Sequence, residues 1–492
     1  MTVGEELIQN RKEKLEELQK KNVNPYPYSF ALTHRSGEIL HNPQYQQLES
    51  NSHTQDRVRV AGRIVLKRPM GKAGFAHIQD GEGRIQFYAR LDQIGEENFA
   101  LYKNLDLGDI VGVEGDVFKT KTGEISIAAK KIELLAKSLK PLPEKWHGLT
   151  DKELRYRERY LDLIVNADVR EVFRTRSKVI RSVRTFLEKE EYLEVDTPVL
   201  HTLAGGAAAT PFVTHHEALD MKLYLRIALE LHLKRLLVGG FEKVFEIGRV
   251  FRNEGISFKH NPEYTLLELY QAYVDYEGMM DITERLVSSV LKETAGSTKI
   301  TYGDHTLDFG APWKRITMTD ALKEYGGIDI GAPEGDLRKA ALAKGVEGAK
   351  EISIGKLMNV LYDKYVEKHL IQPTFVLDYP IETTPLAKKK RGNPRLVERF
   401  EVIVAGMELA NAFSELNDPL DQRGRLEEQL LLKKAGETDT ESLDEDFLNA
   451  LEIGMPPAGG LGIGIDRLVM LATNQPSIRD VIFFPHMRVE QK

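Results

Sequence analysis

The sequence predicts an α+β chain of two folded parts, a small five-stranded barrel followed by a larger domain of sheet and helices. Three observations carry that prediction. At 492 residues the chain is too long for one ordinary hydrophobic core. Between residues 57 and 135, short runs alternate apolar and polar side chains as half-buried strands do. Beyond residue 172, apolar residues at helical spacing are interleaved with further strand-like runs.

Composition narrows the class. Hydrophobic residues make up 41% and charged residues 29%, the balance of a soluble globular chain. No apolar run approaches the length of a membrane span, and residues 1–20 lack the apolar segment of a secretory signal. A cytoplasmic location without membrane contact is the expectation. The absence of cysteine excludes disulfides, thiol nucleophiles and cysteine-ligated zinc. A net charge of −7 argues against a chain coated in nucleic acid but permits a local basic groove.

Residues 5–21 read as a charged helix with a thin apolar stripe of Leu7, Ile8, Leu15 and Leu18. Its interleaved acids favour packing on its own protein over contact with RNA. Residues 24–53, rich in Pro, Asn, Gln and Ser, read as an extended connector, so 1–55 form an N-terminal helix and connector. Strands follow where Val58 and Val60 alternate with Arg57 and Arg59, then at 75–79, 84–89, 110–118 and 124–132. Asp80-Gly81-Glu82-Gly83 is a turn, and 96–104 fit a short helix before the fourth strand. That order fits an oligonucleotide-binding barrel over 56–140. Phe75 and His77 point away from Ala76 and Ile78, and Arg84, Gln86 and Tyr88 point away from Ile85 and Phe87. One face is therefore core, and the other is a platform on which unpaired bases can stack.

Residues 141–171 read as a linker with a basic, helical stretch at 155–162, and 172–492 as the large domain. Its helix at 177–190 carries Val179, Ile180, Val183, Phe186 and Leu187 at helical spacing. Residues 276–396, including a helix at 357–369, read as a helical insertion.

The densest chemistry lies in Val250-Phe251-Arg252-Asn253-Glu254-Gly255 and His260-Asn261-Pro262-Glu263-Tyr264-Thr265. An apolar strand ends in arginine, a loop carries glycine and histidine, and a second strand returns. Arg252 shares a face with Val250, Gly248 and Glu246, and Tyr264, Glu268 and Tyr270 share a face of the next strand. A hairpin there presents a guanidinium, an aromatic ring and a carboxylate together, which suits a nucleoside triphosphate. Arg252 can grip phosphate or carboxylate in two-point fashion. Tyr264 can stack on the base, Glu254 can accept from an exocyclic amine, and Lys259 and His260 can reach outer phosphates. Further on, Gly406 turns the chain between Glu401 and Glu408 and brings two carboxylates close. Like charges kept together imply a shared cation, and hard oxygens bridging to phosphate suit Mg²⁺.

The first of these stretches resembles motif 2 of the class II aminoacyl-tRNA synthetases, in the wording of the lysine-specific members of bacterial type. Gly459-Gly460-Leu461-Gly462-Ile463-Gly464-Ile465-Asp466-Arg467-Leu468 resembles their motif 3, and Glu194-Val195-Asp196-Thr197-Pro198 their motif 1. Leu225-Arg226-Ile227-Ala228 and Phe413-Ser414-Glu415-Leu416-Asn417-Asp418-Pro419 extend the likeness, which covers about 57–484. The resemblance implies an antiparallel-sheet catalytic domain, a homodimer built through motif 1, and ATP-dependent charging of tRNA(Lys) with lysine. Arg467 would lie over the second face of the adenine as a cation–π partner. Arg252 and Arg467 would be the catalytic pair, and Glu401 and Glu408 would bind Mg²⁺. Glu415, Glu268 and Tyr270 would hold the lysine ε-ammonium, Phe413 its aliphatic stem, Glu230 its α-amine and Arg252 its carboxylate, with Asn411 completing the hydrogen bonding. Arg68, Phe75, Gln86 and Glu124 match positions expected to contact the anticodon. The chemistry agrees independently: several carboxylates beside an apolar wall select a long cation and repel aspartate.

The sequence departs from the family pattern at Thr210, where a basic residue is usual, and at Leu229 and Glu217, where proline and asparagine are usual. Tyr264 stands for phenylalanine and Lys259 for a common arginine. Three alternatives fit the same residues less well: an aspartyl- or asparaginyl-tRNA synthetase, a lysyl-adenylate enzyme with a non-tRNA acceptor, and a nucleic-acid-binding protein on an inactive synthetase scaffold.

Overall fold

The structure is a computed structural model that describes residues 3–143, 149–435 and 440–489. Residues 144–148, in the stretch read as a linker, lie outside the described residues, as do 436–439 and both chain ends. The chain divides into two compact units, Met1–Gly148 and Leu149–Lys492. No helix of the described residues is long and apolar enough to cross a membrane.

The first unit is a closed barrel of β1 (His53–Met70), β2 (Ala73–Gln79), β3 (Arg84–Arg90), β4 (Ile110–Lys119) and β5 (Ile125–Ala136). The strand order is β1-β2-β3-β5-β4, and the one parallel pairing, β3 with β5, closes it. Alternation sets the interior: Val58, Val60, Ala76, Ile78, Ile85 and Phe87 are buried. Helix Leu91–Asn104 lies against the barrel with Phe99 and Tyr102 buried, and Tyr102 Oη donates to Phe75 O at 3.2 Å.

Helix Val3–Lys20 packs on this same unit. Leu18 is buried, Lys14 pairs with Asp106 at 2.6 Å, and Arg11 donates to the carbonyls of Leu107, Ser138 and Lys140. The stretch 24–53 is not simply extended. Two short helices, Ser36–Leu40 and Pro43–Gln46, form because Ile39 and Tyr45 find places in the barrel core. Asp80 fixes the first of them by accepting from Ser36 N–H at 2.7 Å and from Ser36 Oγ at 2.6 Å.

The second unit is built on a sheet of β6 (Lys243–Phe251), β7 (Glu263–Ala272), β8 (Thr374–Pro380), β9 (Asn393–Val404), β10 (Met407–Ser414) and β11 (Ala458–Gly464). These pair antiparallel in the order β8-β9-β10-β11-β7-β6. Lys314–Thr317 and Leu193–Glu194 add parallel edges, and Lys389–Lys390 pairs with β9. Helices Ala167–Lys189, Tyr276–Ala295 and Ile465–Ala472 bury one face through residues such as Val183, Leu286 and Val469. Helix Glu230–Val238 and the segments between 318 and 369 pack on the other face. That second face is only partly covered, and the gap is a cavity.

Two sequence boundaries need correction. Residues 149–171 are not linker but part of this unit, in helices Lys152–Arg157 and Arg159–Val165. The basic charge there is an internal clamp: fully buried Arg159 donates to Asp162 Oδ2 at 2.5 Å, Phe483 O at 3.0 Å and Arg479 O at 2.8 Å. The next helix accordingly starts at Ala167, ahead of the expected 177. The helical insertion also shrinks, because helix Tyr276–Ala295 is core and the strands Lys314–Thr317 and β8 join the main sheet. Helical interruption lies between Met318 and His369, with one further turn at Ile381–Thr383.

Replacing Arg159 tests the clamp. Arg159→Met removes one of the two arginines on buried Asp162, leaving Arg155 at 2.9 Å, and deprives the carbonyls of Phe483 and Arg479 of this donor. It should lower the unfolding free energy of this unit by about 2–4 kcal/mol in urea titrations.

Candidate active site

Strand register builds the site. The β6–β7 hairpin sets Glu246 opposite Glu268 and Val250 opposite Tyr264. Across β7 and β11, Glu268 faces Gly462 and Tyr270 faces Gly460. Across β11 and β10, Gly462 faces Asn411 and Gly460 faces Phe413, and Asn411 in turn faces Glu401 on β9. Residues opposite one another share a face, so carboxylates, an amide and aromatic rings line up on one side of the sheet. The glycines of β11 keep the middle of that line open. At Gly460 a Cβ would run into Glu415 Oε1 and the Tyr270 ring. The resulting cavity has a volume of about 420 Å³.

All the residues assigned from sequence to nucleotide, metal and amino acid line this one cavity. At its outer end are Arg252, Glu254, Lys259, His260, Tyr264 and Arg467. Arg252 lies just past β6, where its N–H donates to Pro262 O at 2.8 Å, and its guanidinium sits 5.5 Å from the Tyr264 ring centroid. Arg467 opens the helix after β11. Its neighbour Asp466 is buried and accepts from Arg176 Nη1 at 2.5 Å and Thr265 N–H at 2.6 Å, which pins the turn. Arg467 Nη1 donates to Glu408 O and, at 3.3 Å, to Glu408 Oε2.

Lys259 and His260 are engaged within the protein. Lys259 Nζ pairs with Glu367 Oε2 at 2.9 Å. Burial, then the charges of Arg467 and Lys259, push the His260 imidazole down to about 4, so it is neutral at pH 7. A neutral imidazole can donate a hydrogen bond to phosphate but brings no charge of its own.

Glu401 and Glu408 flank the β9–β10 turn, where Ala405 and Gly406 both have positive φ. Burial, opposed by Arg399 and reinforced by Glu408, pushes Glu401 up to about 7. Arg399 Nη2 donates to Glu401 Oε1 at 2.6 Å. Among the described residues no cluster of three or more His, Asp or Glu stands ready to hold a metal. A cation held by these two carboxylates needs oxygens from a ligand, as Mg²⁺ shared with phosphates does.

At the inner end, Glu230, Glu268 and Glu415 are buried beside Tyr270 and Phe413, with Asn411 nearer Glu401. Tyr270 Oη and Leu229 N–H both donate to Glu268, at 3.1 Å each. Burial and the Glu230 charge still push Glu268 up to about 7. Burial drives Glu415 further above the carboxylate range, and its Oε1 has no hydrogen-bond partner among the described residues. Burial without a donor disfavours the charged form of this carboxyl, and a cation beside it would restore that form.

Sequence reasoning missed two charged groups here. Lys234 lies one turn after Glu230 and is fully buried. Its Nζ donates to Glu230 Oε1 at 2.5 Å, touches Glu415 Oε2, and lies 5.4 Å from the Phe413 ring centroid. Burial works against the ammonium, but Glu230 and Glu415 outweigh it and hold its pKa above the ordinary lysine value. The i, i+4 spacing of Glu230 and Lys234 was a readable signal. Glu441, the second, comes from a loop with no pattern to announce it.

The barrel carries the four residues assigned to the anticodon. Arg68 pairs across strands with Phe75, and Phe75 with Tyr88, whose ring stacks on it at 4.5 Å. Gln86 is largely buried. It donates to Glu124 Oε2 at 3.0 Å, while His77 Nε2 lies 2.8 Å from Glu124 Oε1. Arg68 and Phe75 thus sit on one strand row and Gln86 and Glu124 beside the next.

Residues 151–488 match the family model of class II tRNA synthetases (D, K and N), and 58–135 match the OB-fold nucleic acid binding domain. The chain belongs to the class II tRNA synthetases. Its relatives are similar over their whole length. A lysine–tRNA ligase of Moorella thermoacetica is 55% identical over 489 residues, covering 99% of both chains. A lysine–tRNA ligase of Pelotomaculum thermopropionicum is 56% identical over 491 residues, 98% of this chain and 95% of its own. One from Staphylococcus saprophyticus is 52% identical over 490 residues, 98% of each.

The raised Glu268 pKa fixes a sign. The folded protein holds this proton more tightly than the unfolded chain, so the stability it contributes is full below about pH 4.5 and is lost as pH rises through about 7. Urea unfolding of the ligand-free protein between pH 5 and 8 should show this decline. Glu268→Gln should flatten it by at most about 3 kcal/mol.

Proposed function

We propose that the chain attaches lysine to tRNA(Lys) with ATP as the energy source. The observation that carries the reading is the inner end of the cavity. Buried Glu268 and Glu415 with Tyr270 and Phe413 form a seat for a long aliphatic cation, and the unpartnered Glu415 oxygen is its anchor. The full-length likeness to proteins named lysine–tRNA ligase supports the same substrate. Aspartate, which shares this architecture's family, would place a carboxylate against carboxylates.

The reaction runs in two steps. The lysine carboxylate attacks the α-phosphorus in line, a C–O–P bond forms, and the bond to pyrophosphate breaks. The 3′-terminal hydroxyl of tRNA then attacks the carbonyl carbon, AMP leaves with the bonding pair, and the hydroxyl proton is lost to solvent or phosphate. No side chain in the cavity acts as a covalent nucleophile in this scheme. Arg252 holds the substrate carboxylate against the α-phosphate and offsets the charge that develops there. Tyr264 and Arg467 sandwich the adenine, Glu254 accepts from its amine, and Lys259 leaves Glu367 to meet outer phosphates together with His260. Glu401 and Glu408 fit Mg²⁺ completed by phosphate oxygens, and that cation supplies charge neutralisation when bound.

The anticodon falls to the barrel, where Phe75 offers a stacking face and Arg68, Gln86 and Glu124 offer charge and hydrogen bonds. A homodimer through motif 1 is part of the proposal, supported by exposed Leu193, Val199, Leu200 and Leu203 in that region. We place the activity in the cytoplasm, where ATP, lysine and tRNA meet.

Pyrophosphate–ATP exchange, run with each amino acid in turn and no tRNA, tests the reading. Lysine alone should support exchange, and exchange with aspartate or asparagine would overturn the assignment of the inner seat. Glu415→Gln should raise the lysine KM by roughly tenfold or more, the size expected for a lost charge-assisted hydrogen bond.

A further inference from the structure

Glu441 lines the same cavity and is buried, and the adenylation and transfer steps assign it nothing to do. We infer that Glu441 is a further amino-acid-binding residue, forming with Glu230 the seat for the substrate α-ammonium. The inference rests on the lysine reading above and deepens it.

Three observations place the carboxylate. Glu441 Oε2 accepts from Gly206 N–H at 3.0 Å, so it is fixed to the loop that forms one cavity wall. That loop is pressed against Glu230: a Cβ at Gly206 would stand 3.2 Å from the Glu230 Cβ. Glu441 and Glu230 therefore meet at the same loop. The electrostatic neighbours of Glu441 are Glu230, Lys234 and Arg252, the last being the residue assigned to the substrate carboxylate. A substrate carboxylate and α-ammonium hang from one carbon, so a carboxylate tied to the Gly206 loop beside Glu230 lies at the α end that Arg252 is assigned to hold.

Charge pairing explains why a second acid is useful there. Glu230 already accepts from Lys234 at 2.5 Å, so half of its capacity is spent inside the protein. Glu441 pairs with no lysine or arginine among the described residues. Burial and the Glu230 charge push it up to about 7, the condition of a carboxyl that gains from an incoming ammonium. Its position is well held. Asp444, three residues on, caps helix Glu445–Gly454 and pairs with Arg235 at 3.1 Å. Arg235 rides on the helix that carries Glu230 and Lys234. The loop and the helix are thus braced against each other.

The test uses the full-length protein, Glu441→Gln and Glu441→Asp, in lysine-dependent pyrophosphate–ATP exchange with 6-aminohexanoate as inhibitor. That inhibitor keeps the ε-ammonium and carboxylate but lacks the α-ammonium. Glu441→Gln keeps an oxygen for Gly206 N–H and removes only the charge. It should raise the lysine KM by roughly tenfold or more, with kcat within about twofold and the 6-aminohexanoate inhibition constant unchanged. Glu441→Asp, which retains the charge, should recover part of the loss. An unchanged lysine KM in Glu441→Gln would overturn the inference and leave Glu441 a tie for the loop. Equal weakening of lysine and 6-aminohexanoate would overturn it too, since that pattern marks general disturbance of the pocket. If the glutamine variant fails to fold, the aspartate variant decides by the same comparison of the two ligands. Absence of lysine-dependent exchange in the unaltered protein would instead sink the lysine reading itself.

Discussion

The cavity of the catalytic unit depends on one strand that carries almost no side chains on one of its faces. A pleated sheet normally fills the space above it with its own residues. Here β11 runs through the centre of the sheet as Ala458–Gly464 with glycine at 459, 460, 462 and 464. The strands on either side bring Glu268, Tyr270, Asn411 and Phe413 to the same face, and the gap between them becomes the cavity. Gly460 is the tightest point, because Glu415 and Tyr270 already occupy the space a side chain would need. Removing bulk at the centre lets polar groups from three other strands, β7, β9 and β10, converge on one cavity without leaving the sheet.

Convergence has an electrostatic cost. Glu230, Glu268, Glu415 and Glu441 are all buried around one space, and such groups repel unless protonated or paired. The fold answers in two ways. Lys234 supplies an internal counter-charge to Glu230 and Glu415, and Leu229 N–H and Tyr270 Oη stabilise Glu268 by hydrogen bonds. What remains without a cationic partner is Glu415 Oε1 and Glu441, whose Oε2 accepts only from Gly206 N–H, and under the proposal these are the two places that receive the ammonium groups of lysine. On that reading the cost of burying these acids is offset when a doubly cationic amino acid binds.

Much of this was legible because strands repeat with period two. Once β6 and β7 were read as a hairpin, the common face of Tyr264, Glu268 and Tyr270 followed, and the register shows those residues aligned as expected. The barrel was legible for the same reason, with Ala76, Ile78, Ile85 and Phe87 inside. Groups that reach a site from a helix or a loop leave no such trace. Lys234 looks like one more charged residue on a helix surface until the sheet beneath it is in place. Glu441 follows a polar stretch, and only the cavity gives it meaning. The basic run 155–162 misled in the opposite sense. Its charge fits a linker, whereas Arg159 is spent on Asp162 and on backbone carbonyls of the C-terminal segment. Helix Tyr276–Ala295 reads as part of the insertion because sequence alone does not show which sheet face receives a helix.

The departures from the family pattern acquire physical content in the same way. Leu229 stands where proline is usual, and it is this residue's N–H that donates to Glu268 Oε1 at 3.1 Å. Proline has no N–H to give, so the substitution adds a donor to a buried carboxylate that burial otherwise disfavours. Thr210, in place of a basic residue, takes part through its backbone, its carbonyl accepting from Asn253 N–H at 2.7 Å next to Arg252. Glu217 lies on an exposed turn 3.5 Å from His215 and outside the cavity lining. Lys259 and Tyr264 keep the charge and the ring of the residues they replace, and both line the cavity. The variations that touch the site therefore act on how its groups are held, through backbone donors and acceptors, while the charges and rings that would meet substrate are retained.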